Sequence, residues 1–123
     1  MEPPDRRALG AAAEDAAARF LVAQGLEILD RNYRCRMGEL DIIARVAPDI
    51  LVIAEVRLRS RADYGGGAAS VDGRKRQRIL RTSRHLLMMR PALTRLRARF
   101  DVLDLKPVGD GYDIQWIRGA FEG

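Results

Sequence analysis

One cysteine, Cys35, and one histidine, His85, are all the thiol and imidazole chemistry in these 123 residues. A lone thiol cannot close an internal disulfide, and no Cys/His cluster exists to hold zinc. The fold must therefore rest on its own core, and a reducing, cytoplasmic setting is expected. Long apolar runs are also missing. The most apolar stretch, Ile50 to Val56, is far too short to cross a bilayer. Glu14 and Asp15 interrupt the alanine-rich N-terminal stretch, so Arg6-Arg7 does not read as an export signal, and no membrane partner is expected. No Gly-Lys-Ser/Thr follows Gly65-Gly66-Gly67, which excludes a nucleotide-binding phosphate loop. A loop that moves aside for a nucleic-acid strand is the expectation there. Acidic residues are absent from Arg74 to Arg99, where basic side chains accumulate.

What is present suits one soluble domain spanning residues 1–123, with 47% hydrophobic and 32% charged residues. The net charge of +5 favours a polyanionic partner or an acidic protein surface, without choosing between them.

Periodicity sets the elements. Leu9, Ala12, Ala13, Ala16, Ala17, Phe20 and Leu21 recur at helical spacing, predicting a helix over 8–24 that Gly25 caps. One of its carboxylates, Glu14 or Asp15, lies near the buried stripe. Three closely spaced strands follow over 26–34, 38–46 and 50–59, an antiparallel meander. In the first, Leu26, Ile28 and Asn32 share one face, and Glu27, Leu29, Arg31 and Tyr33 share the other. After a loop over 60–70, Ser70 or Asp72 caps a second helix running to Met89, which Pro91 ends. Strands over 99–105 and 112–117 close the chain as a hairpin about Gly109-Asp110-Gly111. The class is α/β, in the order α-β-β-β-α-β-β. His85 is expected on the helix surface, Cys35 inert, and Tyr112 and Trp116 in packing.

Asp41 lies inside the second strand and Glu55 inside the third, with Arg57 two residues further on the same face. If the two strands pair across the turn at 47–49, Asp41 sits beside Glu55. Two carboxylates in an apolar sheet need a cation between them. A Mg²⁺ ion is one answer, taking Asp41 and Glu55 and, as a further ligand, the carbonyl of Val56. Salt bridges from Arg57, Arg59 or Arg34 are the other. The helix after the loop presents Arg74, Lys75, Arg78 and their neighbours as a cationic flank for phosphates.

The stretches Gly38-Glu39-Leu40-Asp41-Ile42-Ile43-Ala44-Arg45 and Leu51-Val52-Ile53-Ala54-Glu55-Val56-Arg57-Leu58-Arg59 resemble the bacterial YraN family. Further matches are Ala13-Glu14-Asp15-Ala16-Ala17, Arg31-Asn32-Tyr33-Arg34, Tyr64-Gly65, Val71-Asp72 with Lys75-Arg76-Gln77, Arg99-Phe100-Asp101-Val102 and Ala120-Phe121-Glu122. That family is assigned to the PD-(D/E)XK nuclease superfamily, with a likeness to Holliday-junction resolvases. The resemblance implies a restriction-endonuclease-like fold, a mixed central sheet flanked by helices. It implies a Mg²⁺- or Mn²⁺-dependent endonuclease acting on DNA, branched DNA included, with an ion that need not be resident at rest. Asp41 and Glu55 become metal-binding acids, and Glu14 a helix-borne carboxylate that helps hold the metal. Lys75 and Gln77 lie near the substrate phosphate, with Arg59, Arg74 and Arg78 as further nucleic-acid contacts. A homodimer would suit symmetric cutting of two strands.

One position departs from the pattern. The family places lysine two residues after the glutamate, where this chain has Arg57. Arginine stays charged and forks onto paired oxygens, so it can clamp a phosphate but is a poor general base. Lys75 is the candidate replacement. The alternative outcome is a nuclease-fold protein that binds nucleic acid without cutting it efficiently.

Overall fold

Alanine lets the first helix lie close on the sheet. In α1 (Arg6–Ala23) the buried positions are Ala13, Ala17, Ala18 and Leu21, three of them methyl-sized. Gly25, at φ 95°, ends the helix as expected. The Leu26 N–H reaches back to the Leu21 carbonyl at 3.0 Å, a six-to-one bond that brings two buried leucines together.

The structure is a computed structural model and describes residues 6–59 and 72–122. The loop over 60–70, with its glycine triplet, and the alternative cap Ser70 lie outside those residues. After α1 come β1 (Glu27–Cys35), β2 (Gly38–Val46), β3 (Ile50–Leu58), α2 (Gly73–Met89), a 3-10 turn (Pro91–Arg95), β4 (Arg97–Val108) and β5 (Gly111–Phe121). This is the expected α/β order. The strands form one sheet in the order β1-β2-β3-β4-β5, antiparallel except for the parallel β3–β4 pair. A parallel pair needs a crossover, and α2 lies in that connection.

Alternation along the strands divides the core. Ile42, Ala44, Val52, Ala54, Leu103 and Leu105 pack with α1, and Ile43, Leu51, Ile53, Phe100 and Val102 pack with α2 on the other face. Tyr112 and Trp116 join the α1-side core, as their spacing suggested. Both hairpin strands run longer than expected. Their ends carry exposed residues such as Arg97, Ala98 and Lys106, which backbone pairing orders without an apolar signal.

The faces of β1 differ from simple alternation. A bulge between Ile28 and Asp30 shifts the register against β2, and Asn32 adopts φ 55°. Leu29 and Tyr33 therefore pack on the α2 side, while the Arg31 guanidinium goes to α1 rather than staying with Tyr33. His85 is half-buried rather than a surface residue, because the Tyr33 hydroxyl hydrogen-bonds its Nδ1. Tyr33 is thus committed to packing. Cys35 is a half-buried free thiol.

Asp101 was not singled out by the sequence as a structural residue, yet it is completely buried. It accepts two bonds from the Arg99 guanidinium, one from the Trp116 indole and one from the Gly119 N–H, all at 2.9 Å. These bonds hold β5 where its register against β4 shifts and Gly119 turns through φ 61°. Among the described residues no helix is long and apolar enough to cross a membrane.

Candidate functional site

The β2–β3 ladder runs from Val46↔Ile50 to Ile42↔Ala54 and then stops. At the next step the Asp41 side chain replaces the ladder, accepting the Val56 N–H at 2.9 Å. The alternation of β2 also breaks there, since Leu40 packs on the α2 side although Ile42 packs with α1. Asp41 thus stands where two strands part. Its carboxyl lies close enough to that of Glu55 for a hydrogen bond between them. The expected meeting of the two acids is realised.

Both acids border a cavity of about 220 Å³, whose other walls include Gly38, Lys75, Arg78 and Ile79. The position of α2 is what places Lys75 and Arg78 there. A Cβ on Gly38, at φ 151°, would lie 2.9 Å from Thr82 Oγ1 and 3.7 Å from Arg78 Cβ. Only glycine allows the strand and helix to approach this closely. Asp72 then caps α2 by accepting the Lys75 N–H at 2.9 Å, so Lys75 enters from a fixed first turn.

Burial is the main force on these groups. It raises the Asp41 carboxyl above the ordinary range, against the Val56 N–H bond. It pushes Glu55, 4% exposed, up to about 9, with the Asp41 charge adding to the shift and Lys75 opposing it. Near neutral pH the pair therefore keeps a proton. Glu55 Oε1 is buried and has no hydrogen-bond partner.

The salt-bridge explanation of the pair loses two of its arginines. Arg34 turns to Glu39 at 3.4 Å. Arg59 brings its Nε to within 2.7 Å of the buried Asp104 of β4, an ion pair that draws its charge toward Asp104 rather than toward the acids. Arg57 is half-buried on the same face as Glu55, beside Asp104 in the register, and the cavity lining does not include it. Among the described residues, the cations that line this cavity are Lys75 and Arg78.

Glu14 approaches from the opposite face of the sheet. It borders, with Gly10, Asp41 and Val56, a cavity of about 170 Å³. Burial raises it, while Arg31 opposes the shift from 3.1 Å. Arg31 also holds Asp15 at 2.6 Å. Among the described residues no cluster of three or more His, Cys, Asp or Glu stands ready for a metal. Glu14 shares the α1-side cavity with Asp41, whose charge adds to its upward shift. The donor set nonetheless fits a hard divalent cation of the magnesium type, which commonly takes one or two carboxylates and leaves its remaining positions to water and phosphate. The unpartnered Glu55 oxygen is available to such an ion. Val56 contributes its N–H to Asp41 and a wall to the α1-side cavity.

Arg78 belongs to a second hollow as well, a groove of about 400 Å³ along α2 lined by Arg74, Gln77, Arg78 and Arg81. The site thus continues into a cationic surface, and Arg81 joins the residues singled out from sequence. Its membership follows from helical spacing, since positions 74, 77, 78 and 81 share one face.

Residues 13–105, which include Glu14, Asp41, Glu55 and Lys75, match the model of a family described as "Uncharacterised protein family UPF0102". A UPF0102 protein of Pseudomonas entomophila is 43% identical over 92% of each chain. One of Methylobacillus flagellatus is 44% identical over 92% of this chain and 96% of its own. One of Ralstonia nicotianae is 42% identical over 97% of this chain and 90% of its own. With a family model and near-full-length relatives agreeing, the chain belongs to the UPF0102 family, the YraN-like family its motifs resemble.

Proposed function

We propose that this protein binds nucleic acid, DNA by preference, and hydrolyses its phosphodiester bonds with a divalent cation held by Asp41 and Glu55. The observation that carries this reading is the meeting of the buried Glu55, one oxygen unpartnered, with the half-buried Asp41, Lys75 and Arg78 around one cavity, and Arg78 also lines an arginine-rich groove. The bound ion, Mg²⁺ or Mn²⁺, supplies electrophilic polarisation of the phosphoryl oxygens and an activated water. The protein's own residues do the rest. Asp41 and Glu55 are pre-positioned by the parting of β2 and β3. Lys75 and Arg78 offer positive charge to the phosphate from the α2 side. Arg74, Gln77 and Arg81 extend that contact along the backbone of the nucleic acid, which gives salt-sensitive, largely sequence-neutral affinity.

Lys75 takes the place that the motif assigns to the residue at Arg57. It borders both acids, whereas Arg57 stands beside Asp104 outside the cavity lining. Cleavage of labelled single-stranded, duplex and branched DNA in Mg²⁺ and Mn²⁺ tests the reading on wild type, Asp41→Asn, Lys75→Gln and Arg57→Lys. Loss of cutting in the first two variants is expected. Cutting unaffected by Asp41→Asn would overturn it. The second reading, binding without efficient cutting, is favoured by Arg57 at the motif position. It is recognised by tight, salt-dependent binding without cleavage in wild type and a gain of cleavage in Arg57→Lys.

A further inference from the structure

Asp41 borders hollows on both faces of the sheet. On the α1 side, the cavity it shares with Glu14 and Gly10 adjoins a wider one of about 620 Å³, bounded by Arg7, Gly10, Glu14, Arg31, Asn32 and Arg34. Gly10 and Glu14 belong to both. The three hollows therefore lie in series past the point where β2 and β3 part, from the α2 groove to the α1 face.

Gly10 sits inside a helix, where glycine is the poorest choice after proline. Unlike Gly38, it has no internal reason to be there. A Cβ at this position meets no atom within 4 Å, so the fold itself leaves the space open. A bare Cα on a cavity wall does allow another backbone to come close. Across the cavity, Asn32 turns through the left-handed region, at φ 55° inside a strand.

The charge of this wall is positive where it is free to act. Arg31 is committed to Glu14 and Asp15, which neutralises the interior of the wall. Arg34 meets Glu39 only at 3.4 Å, with 73% of its side chain exposed, a loose pair that an incoming anion can displace. Arg7 is exposed on the first turns of α1.

We propose that this α1-side cleft is a second phosphate subsite for the same nucleic-acid strand. Gly10 is its point of closest backbone approach, and Arg7 and Arg34 are its cations. The strand then crosses the open end of the sheet with phosphates held on both faces. This inference rests on the nucleic-acid reading of the Asp41–Glu55 site.

Fluorescence anisotropy with short single-stranded and duplex DNA in low salt, paired with thermal melts, tests it on Gly10→Ala, Gly10→Gln and Arg34→Gln. Arg78→Gln serves as the reference for the α2 groove. Both Gly10 variants replace glycine by good helix formers and should melt at or above the wild-type temperature. Gly10→Gln should nevertheless bind roughly tenfold more weakly, and Arg34→Gln should lower the salt slope by about one. A well-folded Gly10→Gln that binds as tightly as wild type, while Arg78→Gln binds weakly, overturns the subsite and leaves the α2 reading intact. If wild type binds neither DNA, the nucleic-acid reading fails. The subsite is then judged by titrating inorganic pyrophosphate and following the amide resonances of Gly10, Ala11 and Asn32. Saturable shifts there uphold a phosphate site, and their absence removes it.

Discussion

Glu55→Gln should make the protein more stable, and increasingly so as pH rises. Glu55 has an ordinary value of 4.5 in the unfolded chain and about 9 in the folded one. Between those values the folded state holds a proton that the unfolded state has released. Stability from this group is complete below pH 4.5, falls as pH rises, and is fully lost above about 9. One proton corresponds to about 1.4 kcal/mol per pH unit, hence about 3 kcal/mol between pH 6 and pH 8. For a chain of this length that is roughly 10 °C in melting temperature. Glutamine keeps the shape and can still donate to Asp41, but it cannot ionise. Melting curves of wild type and Glu55→Gln in metal-free buffer from pH 5 to pH 9 should therefore diverge, with the wild type falling faster. Taking the difference between the two proteins cancels the titrating groups that do not interact with Glu55, and leaves the titration of the Asp41–Glu55 pair. Parallel curves, or a Glu55→Gln less stable at every pH, would mean that Glu55 is an ordinary paired carboxylate, and the reasoning from burial would be wrong.

Further outcomes follow from the same geometry. Divalent-cation affinity should rise by up to about tenfold per pH unit below pH 9, with release of close to one proton per ion, measured by calorimetry in buffers of different ionisation enthalpy. Asp101→Ala strips the partner from four donors and leaves Arg99 beside an emptied pocket, so it should cost about 3–5 kcal/mol in chemical denaturation; a cost under 1 kcal/mol would contradict the network's role. Gly38→Ala should destabilise by about 1–3 kcal/mol and weaken nucleic-acid binding, because α2 must move outward and carries Lys75 and Arg78 with it. Arg81→Gln should reduce the slope of log affinity against log salt by about one while leaving sequence preference unchanged.

Much of the fold is legible in the sequence because periodicity and turn chemistry agree. The turn at 47–49 between two β-branched runs is enough to bring Asp41 beside Glu55, since strand pairing leaves little freedom once the turn is placed. Glycine-rich punctuation marks the final hairpin in the same way. Other features depend on contacts distant in sequence or on backbone details that no residue type announces. The β1 bulge follows from no glycine in that strand, and it sends Arg31 to α1 instead of leaving it beside Tyr33. Arg59 reads as one more surface cation until the parallel β3–β4 pairing sets Asp104 within 2.7 Å of it. Asp101 stands inside a strand with no local sign of the four bonds it receives, two from β5 and two from Arg99 two positions back. The family resemblance marks Lys75 as a candidate, but spacing alone does not separate it from the other basic residues of that helix. The tight seat of α2 against Gly38 separates it from the rest.

The most direct measurement is calorimetric titration of Mn²⁺ and Mg²⁺ into wild type, Asp41→Asn and Glu55→Gln at pH 8. A cation site built from these two carboxyls requires one saturable binding event in the wild type that either substitution abolishes. Equal binding by all three proteins, or none in a folded wild type even with a DNA oligonucleotide present, would contradict it.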